Sequence, residues 1–289
     1  MDIRAILAGL AFALMWSSAF TSARIIVADA TPLAALTLRY LISGLLGVAI
    51  ARMLGQSWHL TPAQWRATII FGVLQNAVYL GLNFVAMQTI EASVAAIIAS
   101  TMPLLVALAG WVFLKEGLKP LAIAGLVAGL IGVALIMGAR INGGVDLFGL
   151  MLCGIGVAAL TVATLSVRGA TSGGNFLMIV GLQMLVGCVA LAIATALFET
   201  PRFTPSWALT AAFAYTTLIP GLAATFVWFW LVNRIGATRA ATFHFLNPFL
   251  GVAIAALLLG ESLGARDVLG VLIIALGILA VQLSRQPKR

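Results

Sequence analysis

Residues 100–116 read STMPLLVALAGWVFLKE, and residues 245–261 read FLNPFLGVAIAALLLGE. One constant offset (248 − 103 = 145) sets Pro103 on Pro248 and Glu116 on Glu261. Further along, it sets Gly125 on Gly270, Gly132 on Gly277 and Arg140 on Arg285. Upstream it sets Ala95 and Ala96 on Ala240 and Ala241, so the copy runs without a gap from 84–140 to 229–285. The stretches before these copies match less closely, although Trp65 and Phe71 find Trp207 and Phe213, and Gly44 finds Gly187. Two copies of a strongly apolar unit, fused head to tail, are the pattern of carriers built around a site between their halves. The copies divide the chain into 1–141 and 142–289.

Composition identifies the solvent. Of 289 residues 63% are hydrophobic and only 8% charged, with a mean hydropathy of +1.15. That is more apolar surface than one water-soluble core can hide, so an all-α integral membrane protein is expected. About 20 residues of helix cross the hydrocarbon core. Charges, prolines and glycine clusters cut the chain into ten such segments, near 4–27, 33–53, 66–88, 92–114, 119–139, 147–168, 175–198, 206–233, 238–260 and 266–284. Turn chemistry is plainest at Asp29-Ala30-Thr31-Pro32, Asn142-Gly143-Gly144, Ser172-Gly173-Gly174 and Thr200-Pro201. The first apolar run is too long for a signal peptide and is expected to remain as a span.

The net charge of +8 reads as topology rather than as a nucleic-acid surface, because the basic residues sit between apolar runs and not in an aromatic-interleaved patch. With the N-terminus inside, Arg4, Arg52, Arg66, Lys115, Lys119, Arg168, Arg234, Arg239, Arg285, Lys288 and Arg289 are cytoplasmic. Only Arg24, Arg140, Arg202 and Arg266 are then outside. Each copy holds an odd number of spans, so the second enters the membrane from the opposite face: two inverted five-helix repeats. Cys153 and Cys188 lie inside apolar runs, which argues against a disulfide framework or a zinc site.

Met102-Pro103-Leu104-Leu105, Leu114-Lys115-Glu116, Gly125 and Gly132, repeated as Asn247-Pro248-Phe249, Gly260-Glu261, Gly270 and Gly277, resemble the EamA-type repeat of the drug/metabolite transporter superfamily. Met15-Trp16-Ser17-Ser18 is similar to that family's tryptophan-glycine-serine opening, with Ser17 in place of the glycine, and Leu38-Arg39-Tyr40 also fits. The resemblance covers essentially the whole chain. It implies ten helices, cytoplasmic termini in a bacterial inner membrane, and carriage of amino acids, nucleotide precursors or other metabolites. Within the superfamily the chain is most similar in general character to YddG-type amino-acid exporters. The resemblance also implies that Glu116 and Glu261 help fix helix corners, and that the glycine-rich fifth and tenth spans serve the fold or a partner subunit. A monomer is expected, with a homodimer as the alternative.

Polar groups at bilayer depth need partners, so their positions mark helix contacts or a cavity. In span three, Gln75, Asn76, Tyr79 and Asn83 share one helical face by spacing. They either bond to neighbouring helices or line the substrate path. Thr242, His244 and Asn247 precede Pro248, and Ser100 and Thr101 precede Pro103 at the equivalent depth. A proline in a helix interior costs about 3 kcal/mol relative to alanine, and matched prolines suggest either packing kinks or a hinge in each repeat. Trp16, Tyr79 and Tyr215 stand at mid-depth, where the interfacial role of aromatic residues fails. Trp58, Trp65 and Trp207 sit at span ends; Trp111, Trp228 and Trp230 approach the cytoplasmic face. The expected substrate-binding set is therefore Trp16, Asn76, Tyr79, Asn83, Ser100, Tyr215, His244 and Asn247, in a cavity of spans one, three, four, six, eight and nine. Pro103 and Pro248 are the expected hinges. Arg39, within span two, either takes a substrate carboxylate or snorkels and bonds to carbonyls.

An intramembrane hydrolase needs a nucleophile with a base, paired aspartates or a metal triad. The spans supply one histidine and no interior carboxylate. A channel needs a ring of charge or a carbonyl filter around a pore axis, which a twofold duplication does not provide. A carrier without cofactor or metal is left, with amino acids bearing aromatic or apolar side chains as the expected substrate. Nucleosides and cationic compounds are the alternatives. Proton coupling would fall to His244. Single cysteines at Asn142 and Ser206, in a background lacking Cys153 and Cys188, are expected to react with an impermeant thiol reagent from outside; reaction at Ser172→Cys instead would reverse the orientation.

Overall fold

The computed structural model describes residues 3–166 and 174–284. Ser172 and Gly173 of one expected turn, and the basic residues Arg168, Arg285, Lys288 and Arg289, lie outside the described residues. So does the comparison of Arg140 with Arg285. Among the described residues ten helices are long and apolar enough to span a membrane: α1 Ile3–Asp29, α2 Pro32–Met53, α3 Pro62–Ala86, α4 Ala92–Leu114, α5 Pro120–Asn142, α6 Leu147–Ser166, α7 Phe176–Phe198, α8 Trp207–Ile235, α9 Arg239–Leu259 and α10 Ala265–Ser284. No strand occurs among them beyond a single antiparallel bridge between Ala30 and Phe203. The largest shift from the sequence reading is at α3, expected to start near Arg66. Thr61 and Gln64 form a capping box there, with N–H···O distances of 3.2 and 2.9 Å, and Pro62 occupies the first turn.

Four spans depart from regular α-helix. Gly72–Tyr79 in α3 and Thr217–Ala223 in α8 wind as π-helix, the second around Pro220. α4 breaks at Thr101, between Ala92–Ser100 and Met102–Leu114. α9 winds as 3₁₀-helix over Thr242–Leu246 before Asn247–Leu259. Pro103 and Pro248 thus stand in the first turn of a second half-helix, where a missing N–H costs little. The interior-proline penalty expected from sequence does not apply. Both half-helices end in a left-handed residue, Lys115 (φ 53°) and Gly260 (φ 68°), which are equivalent under the 145-residue offset. Only glycine adopts that conformation without steric cost.

The helices form two compact units: Met1–Thr21, Thr89–Met151 and Ala223–Arg289 in the first, Ser22–Gln88 and Leu152–Leu222 in the second. Each unit draws on both sequence copies. In the first, α5 packs along α10 and the α4 half before Thr101 packs on the α9 half after it. The α5–α10 contact is made through glycine: a Cβ on Gly125 would lie 2.6 Å from the Gly277 carbonyl, and one on Gly132 would lie 2.8 Å from the Gly270 carbonyl. The small faces are therefore used inside the chain. Ile97, Leu104, Ile136, Val252, Ile274 and Ile278 fill the core beside them. In the second unit, α2 packs along α7, with Gly47 against Gly181.

Helix starts are tied by side chains from the connections that follow other helices. The Glu261 carboxylate accepts the N–H groups of Ala92 (2.7 Å) and Ser93 (3.0 Å) at the start of α4. Glu199 accepts those of Leu33 and Ala34 at the start of α2, each at 3.0 Å. Gln56 Oε1 accepts that of Met178 in α7 at 3.0 Å. Arg140 bridges Glu91 (2.5 Å) and both oxygens of Asp267 (3.2 and 3.0 Å). Asp146 caps α6 and accepts the Thr89 hydroxyl at 2.6 Å, which, with the Phe148 and Gly149 N–H groups, holds its carboxyl below the usual range. Gly138, on the same helix as Gly132, faces open space. Gly132→Ala is expected to cost about 1–3 kcal/mol by overpacking, while Gly138→Ala is expected to be neutral or to gain up to about 1 kcal/mol. Thermal unfolding in detergent micelles checks both.

Candidate functional site

Within the first unit, α1, α8 and α9 bring four rings together. Phe12 lies 4.8 Å from Trp228 and 5.9 Å from Trp16, centroid to centroid. His244 stands edge-on to Phe12 at 5.4 Å and to Trp16 at 6.2 Å, and is tilted against Trp228 at 5.3 Å. Phe12 is buried, whereas Trp16, Trp228 and His244 are each half-buried and present an open side. The 3₁₀ turn before Asn247 directs its amide at the imidazole: Asn247 Nδ2 lies 2.9 Å from His244 Nδ1. Asn247 Oδ1 is buried and has no partner. Whichever way the amide is turned, one of its two polar atoms is left without a protein bond. An aromatic wall with one unsatisfied polar edge is the arrangement of a small-molecule site. The Ser17 hydroxyl reaches the Asn247 carbonyl at 3.4 Å.

The structure thus brings together Trp16, His244 and Asn247 of the expected set. It adds Phe12 and Trp228. Phe12 is one helical turn before Trp16, a spacing the sequence offered. Trp228 had no such signal, since only packing relates it to His244. Ser100, also in the first unit, donates to the Ala96 carbonyl of its own helix at 2.6 Å.

The remaining expected residues lie in the second unit, and the two asparagines are committed to the protein. Asn76 Nδ2 donates to the Gln183 carbonyl on α7 at 2.9 Å. Asn83 Nδ2 donates to the Tyr79 carbonyl at 2.8 Å, and its Oδ1 accepts the Cys153 thiol at 3.4 Å. Tyr79 is buried, while Tyr215 is 39% exposed. The π-helical course of Gly72–Tyr79 changes the face that a 3.6-residue spacing assigns to Gln75, Asn76 and Tyr79. Among the described residues no group of three His, Cys, Asp or Glu side chains could hold a metal ion.

The model of the EamA-like transporter family matches residues 3–138 and again 147–283. The chain belongs to the EamA-like transporter family. It is similar over 93% of its length to the uncharacterized transporter YvbV of Bacillus subtilis, at 25% identity and 88% coverage of that protein. It is 28% identical to the uncharacterized inner membrane transporter YedA of Escherichia coli K12, with 96% and 90% of the two chains covered. Protein PecM of Dickeya dadantii is 24% identical over 91% of this chain and 86% of that one. A solved crystal structure shares the fold at a TM-score of 0.70 and 20% identity, covering 98% of each chain. This EamA-like chain is accordingly a multi-pass membrane transporter and not an enzyme.

The hydrogen bonds separate packing residues from candidate ligand contacts. Asn83→Leu is expected to destabilise the protein by about 1–3 kcal/mol, because it strands the Tyr79 carbonyl and the Cys153 thiol. Asn247→Leu removes the unpaired Oδ1 together with the single bond from Nδ2 to the half-buried His244 ring, and is expected to cost less than Asn83→Leu, about 0.5–1.5 kcal/mol. Thermal unfolding of the two variants, compared with wild type, distinguishes these outcomes.

Proposed function

We propose that this transporter exports an amino acid with an aromatic or apolar side chain across the bacterial inner membrane by alternating access, with both termini cytoplasmic and the two copies inverted. The observation that carries the reading is the half-open cluster of Phe12, Trp16, Trp228 and His244 beside the unpaired Asn247 Oδ1. Aromatic faces take up apolar side chains, and a single amide atom fixes orientation. The break at Thr101 and the 3₁₀ turn at Thr242–Leu246 support hinges at Pro103 and Pro248, because half-helices reorient with less loss of hydrogen bonding than a continuous helix. Asn76, Tyr79, Asn83, Ser100 and Tyr215 stay in the proposal as lesser contributors to the substrate path. The functional unit is a single chain that needs neither cofactor nor nucleic acid.

The test is uptake into liposomes containing purified protein, with a panel of apolar amino acids, nucleosides and aromatic cations, with and without a pH gradient. Apolar amino acids are expected to be carried. Trp16→Ala and Trp228→Ala are each expected to lower transport by about tenfold or more, the loss of an aromatic contact of at least about 1.4 kcal/mol. Transport confined to nucleosides or cations would reject the amino-acid assignment.

A further inference from the structure

Arg39 is the one charged side chain set well inside a span among the described residues of α2, seven residues beyond Pro32 and so about 10 Å along the helix. It is largely buried: 7% of the residue is exposed. No carboxylate lies within ion-pair distance among the described residues, and its Nε has no hydrogen-bond partner. One turn on, Ser43 is 1% exposed and its Oγ also has no partner. These two unpaired groups converge. Arg39 Nη2 and Ser43 Oγ lie 3.5 and 3.6 Å from the point that a Cβ on Gly221 would occupy. Gly221 belongs to the π-helical stretch of α8 and thus leaves open the space beside both groups.

A guanidinium removed from water without a counter-charge is unfavourable, and so is a buried hydroxyl without a partner. The face of Tyr40, 5.1 Å from the guanidinium carbon, lends partial compensation but accepts no N–H bond. What the pair lacks is an acceptor with negative charge and at least two lone-pair sites, one for Nη2–H and one for the serine hydroxyl. We propose that Arg39 and Ser43 form an anion-binding site inside the second unit, and that its ligand is a carboxylate. The site does not rest on the export reading above. A carboxylate matches the fork of the guanidinium and can accept the hydroxyl proton on the same group. Gly221 sets the size of the site, since any side chain there meets both donors.

The experiment uses the purified full-length protein and reads its melting temperature with sodium benzoate, L-leucine, benzamide, L-leucinamide or sodium chloride. The carboxylates are expected to raise it and the matched amides to leave it unchanged. Arg39→Met is expected to abolish that rise while keeping, or increasing, the stability of the unliganded protein, because an unpaired buried charge is removed. A structural arginine would give the reverse, a large loss of unliganded stability. Ser43→Ala, which keeps the charge, and Gly221→Ala, which crowds the site, are each expected to weaken carboxylate binding by about tenfold, the equivalent of one charge-assisted hydrogen bond. Stabilisation by chloride alone would keep an anion site but overturn its assignment to a carboxylate. No stabilisation of wild type by any anion, or an undiminished rise in Arg39→Met, would overturn the site. Should amino acids not be carried while benzoate still stabilises wild type and not Arg39→Met, the export reading fails and the site stands.

Discussion

A hydrocarbon solvent offers no hydrogen bonds, so every backbone donor and acceptor at membrane depth must be satisfied within the chain. Regular helix does this automatically, and the departures from it show where other partners are needed. Along the π-helical stretch of α8, the hydroxyls of Thr216 and Thr217 return to the carbonyls of Ala212 and Phe213 at 2.6 and 2.7 Å. In α3 the Asn83 amide does the same for the Tyr79 carbonyl. Helix starts carry unpaired N–H groups and the positive end of the dipole. Glu199 and Glu261 meet both needs at α2 and α4, and the neutral Gln56 meets the first at α7. With Asp146 at α6, three of the 8 acidic residues serve helix starts in this way.

Glycine governs the second level of organisation. Two helices approach closely only if both have small faces, so the glycines of α5 require those of α10, and Gly47 of α2 requires Gly181 of α7. In each pair one helix comes from each sequence copy. The compact units consequently cut across the copies, and duplication in the sequence becomes interleaving in space. The same arrangement leaves α4 and α9 as broken helices, and sites in membrane carriers gather where helices are discontinuous.

Polar residues at depth fall into two kinds once their bonds are counted. Asn76 and Asn83 have the residue type and spacing of ligand contacts, yet their amides hold α3 to its neighbours and to itself. Asn247 has half of its amide left over, beside three aromatic rings and an imidazole. Arg39 and Ser43 are left over together. Spacing cannot distinguish these cases, because a satisfied and an unsatisfied asparagine look alike in one dimension.

The ten spans, their limits to within a few residues, the tandem copies and the family were all legible in the sequence. Each depends on local hydropathy, on turn residues or on a repeated pattern that no folding is needed to reveal. The pairing of Trp16, His244 and Asn247 was legible in part, since the sequence sets all three at bilayer depth and the last two just before Pro248. Tertiary structure alone decided that Trp228 completes the aromatic wall, that the matched prolines open half-helices instead of bending whole ones, and that α3 and α8 widen into π-helix. These outcomes are set by what lies across from each residue: a ring 5 Å away, a glycine that admits a carbonyl, or a side chain that supplies a missing bond. Many such neighbours, among them Phe12 and Trp228, Gly125 and Gly277, and Glu261 and Ala92, come from sequence positions more than a hundred residues apart, where hydropathy and spacing carry no information.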